Sequence, residues 1–199
     1  MLELRTRTYD HPDAALLVAA VQREYVARYG GEDATPVDAA EFAPPRGLFL
    51  IGYVAGEPVA CGGWRSRAVL GDGDVLQDGD AEIKRMFVAA GHRNRGYARA
   101  VLRELEHTAA AAGRRRLVLE TGLPQPEAIA LYGSAGYTAA AGFGRYRTSP
   151  SSRYFAKSLQ NWPKTRQTGH GWPICDPAAG GRSGSGVART TEPAQDASG

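Results

Sequence analysis

The sequence predicts a mixed α/β fold in which a central, mostly antiparallel sheet of six or seven strands carries helices on both faces. Two observations predict it. Apolar residues change period along the chain in the order strand, helix, hairpin strands, then strand, helix, strand, helix, with two late strand candidates. The glycine spacing of a doubly wound dinucleotide fold is missing from the one stretch that could carry it, "GHRNRGYA".

Each element has its own signal. "LELRTRTY" alternates as a strand does, and "HPDAALLVAAVQREYVARYG" places Leu16, Leu17, Ala20, Val21 and Tyr25 at helical spacing. Pro12 suits a first helical turn, and Gly30 with Gly31 ends the segment. The polar connection "GEDATPVDAAEFAPPR" has room for another short helix. "GLFLIGYVAGEPVACGGWRS" reads as a hairpin turning near Ala55 to Pro58. After a loop of Gly and Asp from Gly71 to Gly79 come the strand "AEIKRMFV", a helix with Ala98, Val101, Leu102, Leu105, Ala109 and Ala112 on one face, and the strand "RRLVLETG". The helix "PEAIALYGSAG" follows, with strand candidates around Tyr137 and in "SRYFAKSL".

Periodicity stops at Leu159, so residues 1–159 read as one domain and 160–199, rich in Gly, Pro, Ser and Thr, as a disordered tail. A net charge of +3 with a pI near 9.0 is too slight a bias for a typical nucleic-acid binder and points to local anion sites. Cys61 and Cys175 have neither metal-ligand nor redox spacing, so no metal is expected and a reducing cytoplasm fits. The apolar runs are too short to span a bilayer, and the start lacks a signal core. The expectation is a cytoplasmic protein without membrane or nucleic-acid partners, monomeric or homodimeric.

The stretch "HRNRGYARAV" poses a problem of charge. A helix N-terminus already carries partial positive charge and unpaired N–H groups, yet Arg93, Arg95 and Arg99 crowd this one, and no acid occurs from Ile83 through Arg103. An anion is the natural complement, with Gly96 allowing its close approach. No Gly-x-x-x-x-Gly-Lys-Ser/Thr segment is present to hold it in the P-loop manner. The strand before this helix has a second irregularity. Strict alternation would place Glu82, Lys84 and Met86 on one face and Ile83, Arg85 and Phe87 on the other, burying a charge either way. A bulge near Lys84 and Arg85 would resolve this, and an edge strand is the alternative.

"VAAGHRNRGYARAVLRELE" resembles the acetyl-coenzyme A loop of the GNAT acetyltransferase superfamily, Arg/Gln-x-x-Gly-x-Gly/Ala, through Arg93, Gly96 and Ala98 after a strand ending in Val88. "QPEAIALYGSAGY" is similar to the same family's Asn-x-x-Ala-x-x-Leu-Tyr-x-x-x-Gly-Phe segment through Ala128, Leu131, Tyr132, Gly136 and Tyr137, with Gln125 in place of the usual Asn. The resemblance covers nearly all of residues 2–159 and implies the acyl-CoA N-acyltransferase fold, with acetyl-coenzyme A as co-substrate. It implies that amides of Arg93, Asn94, Arg95, Gly96, Tyr97 and Ala98 hold the pyrophosphate, and that Phe87, Val88 and Gln125 meet the pantetheine arm. It places Tyr132 near the sulfur as proton donor to the leaving thiolate.

Deprotonating an amine of pKa near 10 at neutral pH calls for a carboxylate, and Glu82 and Glu120 are the acids on the two flanking strands, Glu82 slightly preferred. The implied acceptor pocket draws on Tyr25, Tyr29, Trp64 and Arg65, the last a candidate for binding an acceptor carboxylate. The function expected is direct acetyl transfer to a primary amine, of a small molecule or amino acid rather than a protein. A non-catalytic acetyl-coenzyme A sensor is the alternative.

Overall fold

The computed structural model describes residues 1–68 and 75–160. Residues 69–74 of the Gly/Asp loop, and the tail from 161 with Trp162, Trp172 and Cys175, lie outside the described residues. Among the described residues seven strands make one sheet: β1 (Glu3–Arg7), β2 (Gly47–Val54), β3 (Glu57–Ser66), β4 (Asp80–Val88), β5 (Arg116–Gly122), β6 (Thr138–Ala139) and β7 (Ser152–Ser158). Their order is β1-β2-β3-β4-β5-β7-β6, and every pair is antiparallel except β4 with β5. Three α-helices of the described residues accompany them, α1 (Pro12–Tyr29), α2 (Tyr97–Ala111) and α3 (Pro126–Ser134). The short helix foreseen between α1 and β2 is a 3-10 turn, Ala39–Phe42. Among the described residues no helix is long and apolar enough to cross a membrane.

Helix α1 starts with Pro12 in its first turn and His11 as cap, whose Nδ1 accepts from the Asp13 N–H at 3.2 Å. Gly30 closes it in the left-handed conformation, φ 76°. Its buried stripe is Ala14, Leu17 and Val21, and Leu16 is 58% exposed, so the apolar face is rotated from the expected one by a residue. That stripe packs with Phe42, Phe49, Ile51, Tyr53 and Cys61 on one face of the sheet. Helix α2 covers the other face. A Cβ on Gly62 would stand 3.0 to 3.2 Å from Met86, Val101 and Leu105, so only glycine lets α2 seat this closely. Trp64, fully buried, donates from Nε1 to Thr108 of the same helix at 3.1 Å.

Strand β4 lies at the centre of the sheet, which discards the edge-strand reading, and it carries the bulge. Cys61 pairs with Phe87 and Gly63 with Lys84, so Arg85 and Met86 together oppose Gly62. Arg85 has φ 58°, the left-handed backbone of a G1-type bulge, here taken by a residue other than glycine. The extra residue sorts the side chains: Ile83 and Met86 turn toward α2, while Glu82, Lys84 and Arg85 turn together toward the face of α1. After Glu82, just ahead of the bulge, β4 leaves β5. The two strands pair only at Asp80, Ala81 and Glu82 against Arg116, Leu117 and Val118, and both then run on, to Val88 and Gly122. A cleft opens between them.

Candidate active site

The cleft is a cavity of about 320 Å³ walled by Val21 and Glu24 of α1, Met86 to Val88 of β4, the loop into α2, and Ala128, Leu131 and Tyr132 of α3. Its outer end is a cradle of backbone donors. Asn94 and Gly96 both have positive φ, 61° and 78°, which curls the loop so that successive N–H groups face one side. Gly96 caps α2 with no side-chain hydrogen bond, and among the described residues the N–H groups of 94–99 have no partner. A Cβ on Gly96 would meet nothing within 4 Å, so the space over this turn is open. These features fit a diphosphate.

The arginine side chains are otherwise employed. Arg93 donates from Nε to the Val88 carbonyl at 3.0 Å and from Nη2 to Glu24 at 2.5 Å, so an acid distant in sequence supplies the charge its own segment lacks. Arg95 turns back to the Gly91 carbonyl and Arg99 reaches Ser134 Oγ at 2.8 Å. They fasten the loop, and the backbone is left to bind.

At the inner end the strand geometry selects one amide. The Ala89 N–H bonds Val59 on β3, so by alternation the Val88 N–H and C=O point away from β3, toward the cleft. Its carbonyl is taken by Arg93, and its N–H faces the cavity. Phe87 differs from expectation here: its amide is turned to β3, opposite Cys61, and its ring packs against the α1 core. Phe87 lines the cleft as a side chain, not as a backbone partner. Tyr132, 6% exposed, stands against Tyr137 and Phe155, and burial pushes its phenol well above the ordinary tyrosine range. Its hydroxyl has no hydrogen-bond partner among the described residues, and at neutral pH it holds its proton.

A second cavity, also about 320 Å³, lies on the α1 face and shares Gln125 with the first as a common wall. Gln125 Oε1 accepts from Tyr29 at 2.9 Å and Thr121 at 3.1 Å. Glu120 lines this second cavity and accepts from Ser152 Oγ at 2.6 Å. Burial raises its pKa above the usual carboxylate range, against the lowering effect of Ser152. Tyr25 and Tyr29 also line it.

Three other residues fall elsewhere. Glu82, 5% exposed, is held by Arg65 at 2.9 Å with Arg67 at 3.6 Å and Lys84 at 3.9 Å, and it sits where β4 and β5 are still paired. Arg65, 3% exposed, is bound to Glu82, to Glu41 at 2.5 Å and to the Pro36 carbonyl at 3.3 Å. Trp64 faces α2. None of the three lines either cavity: Glu82 and Arg65 are buried in one ion cluster, and Trp64 is packed beneath α2. Arg65→Ala leaves Glu82 buried without its closest cation and is expected to cost about 3–5 kcal/mol of stability. Urea unfolding reads this directly, and an unchanged midpoint would show the cluster to be dispensable.

Sequence reasoning missed Asp33, which lies 3.0 Å from Arg85 and 3.3 Å from Lys84. Burial opposes its charged form, yet Lys84, Thr35 and Arg85 outweigh it and hold its pKa at about 2. The signal available was the adjacent Lys84 and Arg85, which needed an acid. Also missed were Tyr146, Ser149 and Ser152, which roof the second cavity.

The sequence matches the profile of the acetyltransferase (GNAT) family over residues 15–137. It is 35% identical over 131 residues to an IAA acetyltransferase of Azospirillum brasilense, spanning 66% of this chain and 80% of that protein. Among solved structures it resembles a candidate acyl-CoA N-acyltransferase of Klebsiella pneumoniae, with 26% identity and TM-score 0.66 over 80% of this chain and 98% of the other. A GNAT-family acetyltransferase of Staphylococcus aureus Mu50, 17% identical with TM-score 0.60 over 80% of this chain and all of the other, matches in fold.

Proposed function

The chain belongs to the GNAT acetyltransferase family and is an acyltransferase; on that premise we propose that it moves the acetyl group of acetyl-coenzyme A directly to a primary amine of a small acceptor. The observation that carries this reading is the pair of cavities sharing Gln125 where β4 and β5 part, one provided with unpaired N–H groups and the other with a carboxylate.

In this reading the N–H groups of 94–99 bind the diphosphate of coenzyme A, and the splayed strands receive the pantetheine arm. The Val88 N–H donates to the thioester oxygen as negative charge develops there, a contact that needs no reorganisation at the moment of reaction. Glu120 accepts the proton of the acceptor ammonium, directly or through water. Its raised pKa brings it closer to that task than an ordinary carboxylate. Tyr132 gives its proton to the departing thiolate, and the acetylated nitrogen sheds its second proton to the phenolate, directly or through water, which restores Tyr132. Its phenol is a weaker acid than a thiol in water, so the transfer depends on fixed geometry, which its burial against Tyr137 and Phe155 supports. Tyr29, through Gln125, ties the acceptor side to the head of α3.

Release of free thiol from acetyl-coenzyme A, followed with and without a panel of primary amines, tests the assignment. Amine-dependent release is expected, and release that no amine accelerates would contradict it.

A further inference from the structure

The second cavity is unusual in what it offers an acceptor. Three phenols, Tyr25, Tyr29 and Tyr146, and three serines of one segment, Ser149, Ser151 and Ser152, line it. Their existing bonds leave capacity of both kinds. Tyr146 accepts from the Ala34 N–H at 3.0 Å and keeps its own proton to donate. Ser149 and Ser151 share one bond at 3.0 Å, which leaves one of their protons free, and Ser152 spends its proton on Glu120 and keeps its lone pairs.

Charge narrows the choice further. Three carboxylates line the cavity, Glu32, Asp33 and Glu120, against one lining ammonium, Lys84, and the Arg85 guanidinium behind Asp33; both cations are taken, Lys84 lying 3.3 Å from Asp33 and 3.9 Å from Glu82, and Arg85 3.0 Å from Asp33. No free cation among the lining residues can receive an acceptor's carboxylate or phosphate. An anion brought here would meet net negative charge, whereas an ammonium would be drawn toward Glu120. The volume of about 320 Å³ suits a small molecule, and the Ala34–Tyr146 bond joins the two loops that roof it.

From this lining, and resting on the transfer reading above, we propose that the acceptor is a small polyhydroxylated primary amine that bears neither carboxylate nor phosphate, the class to which simple amino sugars belong. Its ammonium faces Glu120, its hydroxyls pair with the phenols and serines, and its ring lies against the tyrosine faces.

The test compares kcat/KM of the full chain for D-glucosamine, D-glucosamine 6-phosphate, L-serine and cyclohexylamine at one pH, with acetyl-coenzyme A binding followed in parallel. D-glucosamine is expected to exceed each of the others by about tenfold or more, the scale of one or two hydrogen bonds or one uncompensated charge. Ser149→Lys supplies the missing cation and is expected to narrow the gap between the sugar and its 6-phosphate by about tenfold. Equal or greater activity with L-serine or the phosphorylated sugar, or an unmoved ratio in Ser149→Lys, would overturn the inference and leave acetyl transfer standing. No thiol release with any of the four, while acetyl-coenzyme A still binds, would overturn both.

Discussion

Replacing Tyr132 by phenylalanine will lower kcat by about two to four orders of magnitude, the range that a well-placed general acid contributes, and leave acetyl-coenzyme A affinity within about threefold. The reasoning is geometric. The hydroxyl has no hydrogen-bond partner among the described residues, and the ring is held by Tyr137 and Phe155 through contacts that phenylalanine keeps. The substitution therefore removes a proton and little else. An interaction made only in the transition state shows as a fall in kcat with unchanged substrate binding. Rates within threefold of the parent would take Tyr132 out of the mechanism and make it a packing residue of α3.

The second large effect concerns Glu120. Glu120→Gln is expected to lower kcat/KM by a similar factor, about 10²- to 10⁴-fold, and to change the shape of the pH profile. In the parent, activity falls as pH drops and Glu120 takes up a proton, and because burial raises its pKa that fall begins above the ordinary carboxylate range. The variant loses this limb and keeps the higher one set by the acceptor amine. Stability moves the other way. A carboxyl with a raised pKa in the fold binds its proton more tightly than in the unfolded chain, so folding stability declines as pH rises from the unfolded toward the folded pKa. Above that window the charged Glu120 is a cost, and Glu120→Gln is expected to unfold at a midpoint no lower than the parent at neutral pH. A profile whose acidic limb survives in Glu120→Gln would assign the proton to another group.

The elements of this fold were legible in the sequence because each is a local pattern. Pro12 and Gly30 bracket α1, the apolar runs of β2 and β3 flank a two-residue turn, and the conflict of faces in "EIKRMFV" pointed to the bulge that the register shift between Cys61 and Gly63 contains. The cradle at 93–98 was legible too, since glycine and an excess of cations at a helix start are features of contiguous residues. The charge partners were not. Glu24 lies 69 residues from Arg93, Asp33 is 51 from Lys84, and Ser152 is 32 from Glu120, and such distant pairs leave no periodic trace. Glu82 and Glu120 are therefore hard to tell apart in the sequence. Both acids sit on strands that flank the cleft, and only the position at which β4 and β5 stop pairing distinguishes them. The burial of Arg65 and Trp64 is hidden for a related reason: alternation along β3 sends one to a buried ion cluster and the other under α2, and the strand's end looks exposed in sequence alone.

The central claim is that a diphosphate thioester docks on the turn that opens α2, and calorimetric titration with acetyl-coenzyme A of the parent chain and of Gly96→Asp addresses it most directly. Aspartate tolerates the left-handed backbone better than most residues, and its Cβ meets nothing within 4 Å, so the variant should fold while placing a carboxylate where the phosphates would lie. The account predicts saturable binding to the parent below about 1 mM, within the usual range for enzyme substrates, and at least about a tenfold loss in the variant. A parent chain that gives no binding heat at millimolar acetyl-coenzyme A, or a variant that binds as tightly as the parent, would contradict it.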